Sequence, residues 1–209
     1  MNPEFIKLYL VTDPVLCGDR GVVETCRQAL QAGVTAIQLR DKTASTRQLI
    51  EMAEILMVLC EKHGALFIVN DRVDVALACH SHGVHLGQDD MPAATARRLL
   101  GPEAVIGISV RSVDEAVAAW KNGADYIAAN MIFATDTKIN LEKPLGLDAI
   151  GRLKKATPLP LIAIGGINKV NADIVRKAGA DGIAVVSAIM AAPQVDKTVH
   201  DLLPGTYHT

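Results

Sequence analysis

Aromatic residues are scarce in this chain: they make up 3% of its 209 residues, with one Trp, three Tyr and three Phe, although half of all residues are hydrophobic. A core of that composition is built from Ala, Val, Ile and Leu, which suits strands packed against helices. Cysteine is sparse as well. Cys17, Cys26, Cys60 and Cys79 contain no CxxC pair, which excludes a zinc framework of ordinary spacing and a small disulfide scaffold. Buried, idle thiols are expected instead. An excess of one charge is also missing. The net charge is −2 and the Lys and Arg residues are scattered, so no general attraction to nucleic acid or to an anionic membrane surface is expected. Any anion site must be local. No apolar run approaches the ~20 residues of a membrane span, and MNPEFIKLYLVTD lacks a basic segment followed by an apolar signal region. A cytoplasmic chain is the expectation, with no membrane or nucleic-acid partner, and a homo-oligomer is compatible with it.

What is present is a repeat. Apolar, β-branched segments recur at 8–13, 36–41, 66–71, 83–88, 104–110, 126–133, 160–167 and 182–190. Between them lie segments of helical period, the clearest from Thr46 to His63, where Leu49, Met52, Ala53, Leu56 and Cys60 recur at three- and four-residue steps. The others span 22–32, 73–80, 92–100, 113–122, 147–155, 170–178 and 192–203. The joints AGV at Ala32, HGV at His82, NGAD at Asn122 and AGAD at Ala178 each place a Gly where a left-handed helix cap is useful. Eight alternations without a composition break favour an α/β fold with a single domain over 1–209, a (βα)8 TIM barrel, over a doubly wound open sheet.

In such a barrel, chemistry collects at the carboxyl ends of the strands. Those ends read Thr12 and Asp13; Gln38, Arg40 and Lys42; Asn70 and Asp71; Gln88, Asp89 and Asp90; Ser109 and Arg111; Thr135, Thr137 and Lys138; Gly165 and Gly166; and Ser187. Gln38 and Arg40 share a strand face, and with Lys42 they form a clamp for a multiply charged anion, or else a structural salt bridge across strand ends. Asp71 and Asp90 should both stay ionised beside these cations, which suits magnesium held between carboxylates and phosphate oxygens. Asp89 is adjacent; alternation sends it and Asp90 to different sides, and the sequence alone does not choose between them. Gly165 and Gly166, with Val186 and Ser187, stand in the last two loops, where barrels commonly bind a phosphate with backbone amides. Two anion sites on one rim suggest two substrates joined with loss of pyrophosphate. The cluster Cys79, His80, His82 and His85 is a poor metal site, since a strand beginning near Gly83 points His82 and His85 to opposite faces.

QLRDK, VND, HGVHLGQDD, TDTK followed by PLGL, and AIGGI occur in an order and spacing that resemble thiamine-phosphate synthase along nearly the whole chain. The resemblance implies a transferase of thiamine biosynthesis that couples a hydroxymethylpyrimidine diphosphate to a thiazole phosphate. It implies that the QLRDK run, Gln38, Leu39, Arg40, Asp41 and Lys42, binds the pyrimidine diphosphate together with Asn70, Ser109 and Lys138, and that Asp71 and Asp90 hold Mg2+. Arg40, Lys42, Ser109 and Lys138 would carry the catalysis. Thr135, Asp136, Thr137, Gly166, Val186 and Ser187 would meet the thiazole phosphate, and the tail from Ile139 to Lys143 would form a cover. Two departures stand out. The family's Gly-rich GxGPxFPT run is replaced by Ala128 to Thr135, and the His usual after the Ser109 position is replaced by Val110 and Arg111. The competing readings are a thiazole tautomerase-like isomerase, whose catalytic His would fall on Arg111, and a non-catalytic phosphate-ligand binder. No His, Cys or Ser constellation is expected at the rim.

Overall fold

Short β-branched runs that are apolar on both faces can be buried only between two layers, and parallel strands linked by helices provide both. The computed structural model describes residues 2–134 and 143–205. Its strands are β1 (Leu8–Val11), β2 (Ala36–Leu39), β3 (Leu66–Asn70), β4 (Gly83–Leu86), β5 (Val105–Val110), β6 (Tyr126–Ala129), β7 (Leu161–Ile164) and β8 (Gly182–Val185). They form a closed parallel barrel in chain order, with β8 returning to β1 through Leu8 opposite Ile183 and Leu10 opposite Val185. The helices are α1 (Val22–Gln31), α2 (Thr46–His63), α3 (Val73–Ala78), α4 (Ala93–Leu100), α5 (Val113–Lys121), α6 (Asp148–Ala156), α7 (Ala172–Lys177), α8 (Ser187–Met190) and α9 (Val195–Leu202). The fold is a (βα)8 TIM barrel.

Strand parity divides the core in two. Outward residues such as Leu10, Ile37, Leu39, Phe67 and Ile106 pack with the helices, while Tyr9, Ala36, Ile68, Tyr126, Ala128, Ile162 and Ala184 fill the barrel. Tyr126 enters the barrel because Gly107 faces it across β5: a Cβ there would stand 2.0 Å from the ring's Cζ.

Three expectations are corrected. The eighth apolar run does not continue as a strand to Met190. β8 loses its partners when β7 ends at Ile164, opposite Ala184, and the chain turns into α8. The sixth run stops at Ala129, because Met131 takes φ 61 and the amides of Ile132 and Phe133 turn to the carbonyls of Ile164 and Gly165. Of the four joint glycines, Gly33, Gly123 and Gly179 do adopt positive φ. Gly83 does not. It begins β4, where a Cβ would lie 1.8 Å from the Val105 carbonyl oxygen, and His80 takes the left-handed turn at φ 51 instead.

Candidate active site

The barrel's carboxyl end opens into a cavity of about 890 Å³, its open mouth included. Gln38, Arg40, Asn70, His85, Ser109 and Asn130 line one side and Gly165, Gly166, Val186 and Ser187 the other. These residues arrive there for a simple reason: alternate strand residues share a face, so the inward positions of β2 to β8 deliver their last side chains to one mouth. Leu39, one residue out of phase with Gln38, is buried among the outer apolar residues. Asp41 folds its own loop. Its Oδ1 accepts from the Thr43 amide at 2.8 Å, the Thr43 hydroxyl at 2.8 Å and the Ala44 amide at 3.0 Å. Thr12 brackets Arg40, its hydroxyl donating to the Arg40 carbonyl and accepting from the Arg40 amide. Asp13 accepts from the amides of Val15 and Leu16 and shapes the first loop.

Lys42 reaches across from the β2 loop to form an ion pair with Asp71, so the bridging alternative raised by the sequence is realised. Asp71 sits at φ 59, a conformation that L side chains rarely adopt, and its carboxylate is an electrostatic neighbour of that of Asp90. Asp90 also accepts from the Gly87 amide at 2.7 Å. Burial pushes Asp71 up, but hydrogen bonds with Lys42 and Asp90 outweigh it and leave its carboxyl below the ordinary value. Burial and then the neighbouring Asp71 push Asp90 up. The two carboxyls expected to stay ionised are thus shifted in opposite directions, Asp71 below its ordinary value and Asp90 above it. Two neighbouring carboxylates at an open rim are a fitting donor set for a hard divalent cation, which would take its remaining ligands from solvent and substrate. Of Asp89 and Asp90, Asp90 is the neighbour of Asp71.

On the opposite side, Gly165 and Gly166 adopt φ 105 and φ 64. A Cβ on Gly165 would stand 2.5 Å from the Cα of Met131, and one on Gly166 would stand 2.5 Å from the Ala134 carbonyl oxygen, so the β6 loop and the β7 loop are stacked backbone on backbone. Arg111 turns to this β6 loop. Its guanidinium donates to the Asn130 carbonyl at 3.3 Å and the Lys143 carbonyl at 2.8 Å. Thr135, Asp136, Thr137 and Lys138, and residues 139–142 of the expected cover, lie outside the described residues.

No catalytic His, Cys or Ser constellation is expected at the rim, and the structure brings one His and one Ser into contact there. His85 Nε2 lies 2.9 Å from Ser109 Oγ, and His85 Nδ1 lies 2.9 Å from the Tyr126 hydroxyl. Tyr9 and Tyr126 went unnoticed in the sequence, and His85 was considered only as a metal ligand, although the signal was present: with so few aromatics, a Tyr on an inward parity of two strands is a buried hydroxyl in need of partners. His82, by contrast, accepts from the Phe67 amide at 2.9 Å, and the four thiols are free and buried. Among the described residues, no group of three or more His, Cys, Asp or Glu is placed to hold a metal.

Residues 8–189 match the family described as thiamine monophosphate synthase. A thiamine-phosphate synthase of Chloroflexus aurantiacus is 48% identical over 196 residues, covering 94% of this chain and 90% of its own. Another, from Moorella thermoacetica, is 46% identical over 188 residues, covering 90% of each. Among solved structures, a thiamine phosphate pyrophosphorylase from Pyrococcus furiosus superposes with a TM-score of 0.87 at 44% identity, covering 96% of this chain and 95% of its own. A 3-hexulose-6-phosphate synthase, at 14% identity and a TM-score of 0.66, shares the fold alone. With its motifs in order along the barrel, Gln38, Arg40, Asn70 and the glycine loop lining one cavity, and these matches over nearly its whole length, the chain belongs to the thiamine monophosphate synthase family.

Proposed function

We propose that the chain joins a hydroxymethylpyrimidine diphosphate to a thiazole phosphate, giving thiamine phosphate and pyrophosphate. The observation that carries this reading is one cavity lined by Gln38, Arg40 and Asn70 on one side and by the glycine loop, Val186 and Ser187 on the other, with the Lys42–Asp71 ion pair following Arg40 and Asn70 at the same strand ends. Such a cavity suits two anionic substrates held head to head. Arg40 offers a fixed fork to diphosphate oxygens, and Lys42 adds a mobile charge. Asp71 and Asp90 would hold Mg2+, which when bound neutralises charge on the departing pyrophosphate. Gln38, Asn70 and Ser109 would orient the pyrimidine, and Gly166, Val186 and Ser187 would receive the thiazole phosphate through backbone amides and a hydroxyl. Thr135, Thr137 and Lys138 belong to the same reading. The bond between the pyrimidine methylene carbon and the diphosphate oxygen breaks first, its electron pair leaving with pyrophosphate, and the thiazole nitrogen then attacks the cationic methylene carbon, so no side-chain nucleophile is needed. Positioning and electrostatic stabilisation carry the rate. Arg111 stands where the isomerase reading needs a base, and a guanidinium does not serve as one near neutral pH.

Purified protein supplied with both phosphorylated substrates and Mg2+ should release pyrophosphate in step with thiamine phosphate. Asp71→Ala should abolish that metal-dependent turnover, by about 100-fold or more, while thiazole-phosphate affinity stays nearly intact. Absence of pyrophosphate release from the parent would sink the reading.

A further inference from the structure

Five polar side chains from five strands run as one chain through the barrel interior beneath the cavity. Gln38 Nε2 donates to the Tyr9 hydroxyl at 2.9 Å, and the Tyr9 and Tyr126 hydroxyls are 3.1 Å apart. The Tyr126 hydroxyl is 2.9 Å from His85 Nδ1, and His85 Nε2 is 2.9 Å from Ser109 Oγ. Tyr9, Gln38, His85 and Tyr126 are all buried. Polar groups so placed are costly unless every hydrogen finds an acceptor, and Gly107 gives up its side chain to admit Tyr126.

Each hydroxyl has one hydrogen, so direction propagates along the chain. With the Gln38 amide donating at one end, Tyr9 must donate to Tyr126 and Tyr126 to Nδ1 of His85. His85 then bears its hydrogen on Nε2 and donates to Ser109. The Ser109 hydrogen is left to point away from His85, and Gln38 keeps its Oε1 as an acceptor. Burial raises both tyrosines well above the ordinary phenol value, so the two hydroxyls keep their protons. A doubly protonated His85 would donate at both ends and leave the Tyr9 hydrogen facing two donors.

We propose that Tyr9, Tyr126 and His85 are positioning residues that polarise this chain, so that the cavity offers an acceptor on Gln38 and a donor on Ser109 to a ring bearing an amino group and a ring nitrogen. The inference rests on the reading that the cavity takes an aminopyrimidine diphosphate. It explains why two of the three tyrosines lie inside the barrel rather than at its surface.

The polarity is readable without catalysis. In 15N spectra of imidazole-labelled protein, with the His85 signals assigned by their loss in His85→Gln, Nδ1 should resonate as an unprotonated nitrogen and Nε2 as a protonated one. Tyr126→Phe, which keeps the ring but removes the hydroxyl, should abolish that tautomer preference. It should lower kcat/KM for the pyrimidine diphosphate about tenfold, the scale of one buried hydrogen bond, and leave the KM for thiazole phosphate within about twofold. A merely structural role would move both substrates together. If Tyr126→Phe does not fold, Tyr9→Phe carries the same expectation one link further away. Protonated Nδ1 in the parent, or unchanged kinetics in a folded hydroxyl-deletion variant, would overturn the inference. Absence of pyrophosphate release from the parent would instead strike the functional reading, and the tautomer spectrum would still decide the polarity.

Discussion

Asp71 and Asp90 illustrate how one contact acts on two groups in opposite directions. Asp71, depressed by Lys42, contributes stability above the ordinary carboxylate range and loses it as pH falls through its folded value. Asp90, raised by burial and by Asp71, favours folding in its protonated form, and that contribution is lost as pH rises through its folded value. At neutral pH and without a cation, ionised Asp90 therefore works against the fold. Asp90→Asn keeps the acceptor for the Gly87 amide and removes the repulsion. Its metal-free melting midpoint at pH 7 should exceed the parent's by about 2 °C, and the gain should vanish below the ordinary carboxylate range, where the parent's Asp90 is neutral too. Melts in chelator across pH decide this. The carboxylates themselves were legible in VND and GQDD, whereas their mutual contact was not, because residues 71 and 90 meet only through the pairing of β3 with β4.

The short helix α8 shows what local pattern misses. GIAVVSAIM is uniformly apolar and reads as one strand, yet its second half is helical and its carboxyl end is held by a residue far away in sequence. Arg20 donates to the Ala192 carbonyl at 2.8 Å and the Met190 carbonyl at 2.9 Å, with its Nε on Thr25 at 2.9 Å. Three bonds from one planar fork fix the end of α8 against α1, and with it the setting of Ser187. Arg20→Ala should cost about 2 to 3 kcal/mol, seen as a loss of about 5 to 10 °C in melting midpoint, and should weaken thiazole-phosphate binding more than pyrimidine-diphosphate binding. Helix α2, by contrast, was readable end to end. Its Ser45 and Gln48 form a reciprocal capping box and Gly64 closes it in the left-handed conformation, all local features that sequence carries openly.

Closure of the barrel brings eight strand ends to one mouth, and this convergence gives the cavity its two unlike sides. On the proposed reading, Mg2+ with pyrophosphate binds the folded form alone and should raise the melting midpoint. At a hundredfold excess over the dissociation constant the gain is ~2.7 kcal/mol, or about 5 to 10 °C. Removal of Mg2+ by chelator, or Asp71→Ala, should erase it; an unchanged shift in Asp71→Ala would remove the carboxylate pair from the site. Read alone, the sequence was sufficient for the alternation of strand and helix, the closed barrel and the rim residues Gln38, Arg40, Asn70, Ser109, Gly166 and Val186, because period and parity are written in neighbouring positions. Folding decided which of these touch. It spent Lys42 on Asp71, turned Arg111 to the Asn130 and Lys143 carbonyls, and linked Tyr9 to Tyr126 across 117 positions of chain. Contacts of that kind depend on register and closure, which no local pattern encodes, and so the polar chain within the barrel became visible only when its strands were paired.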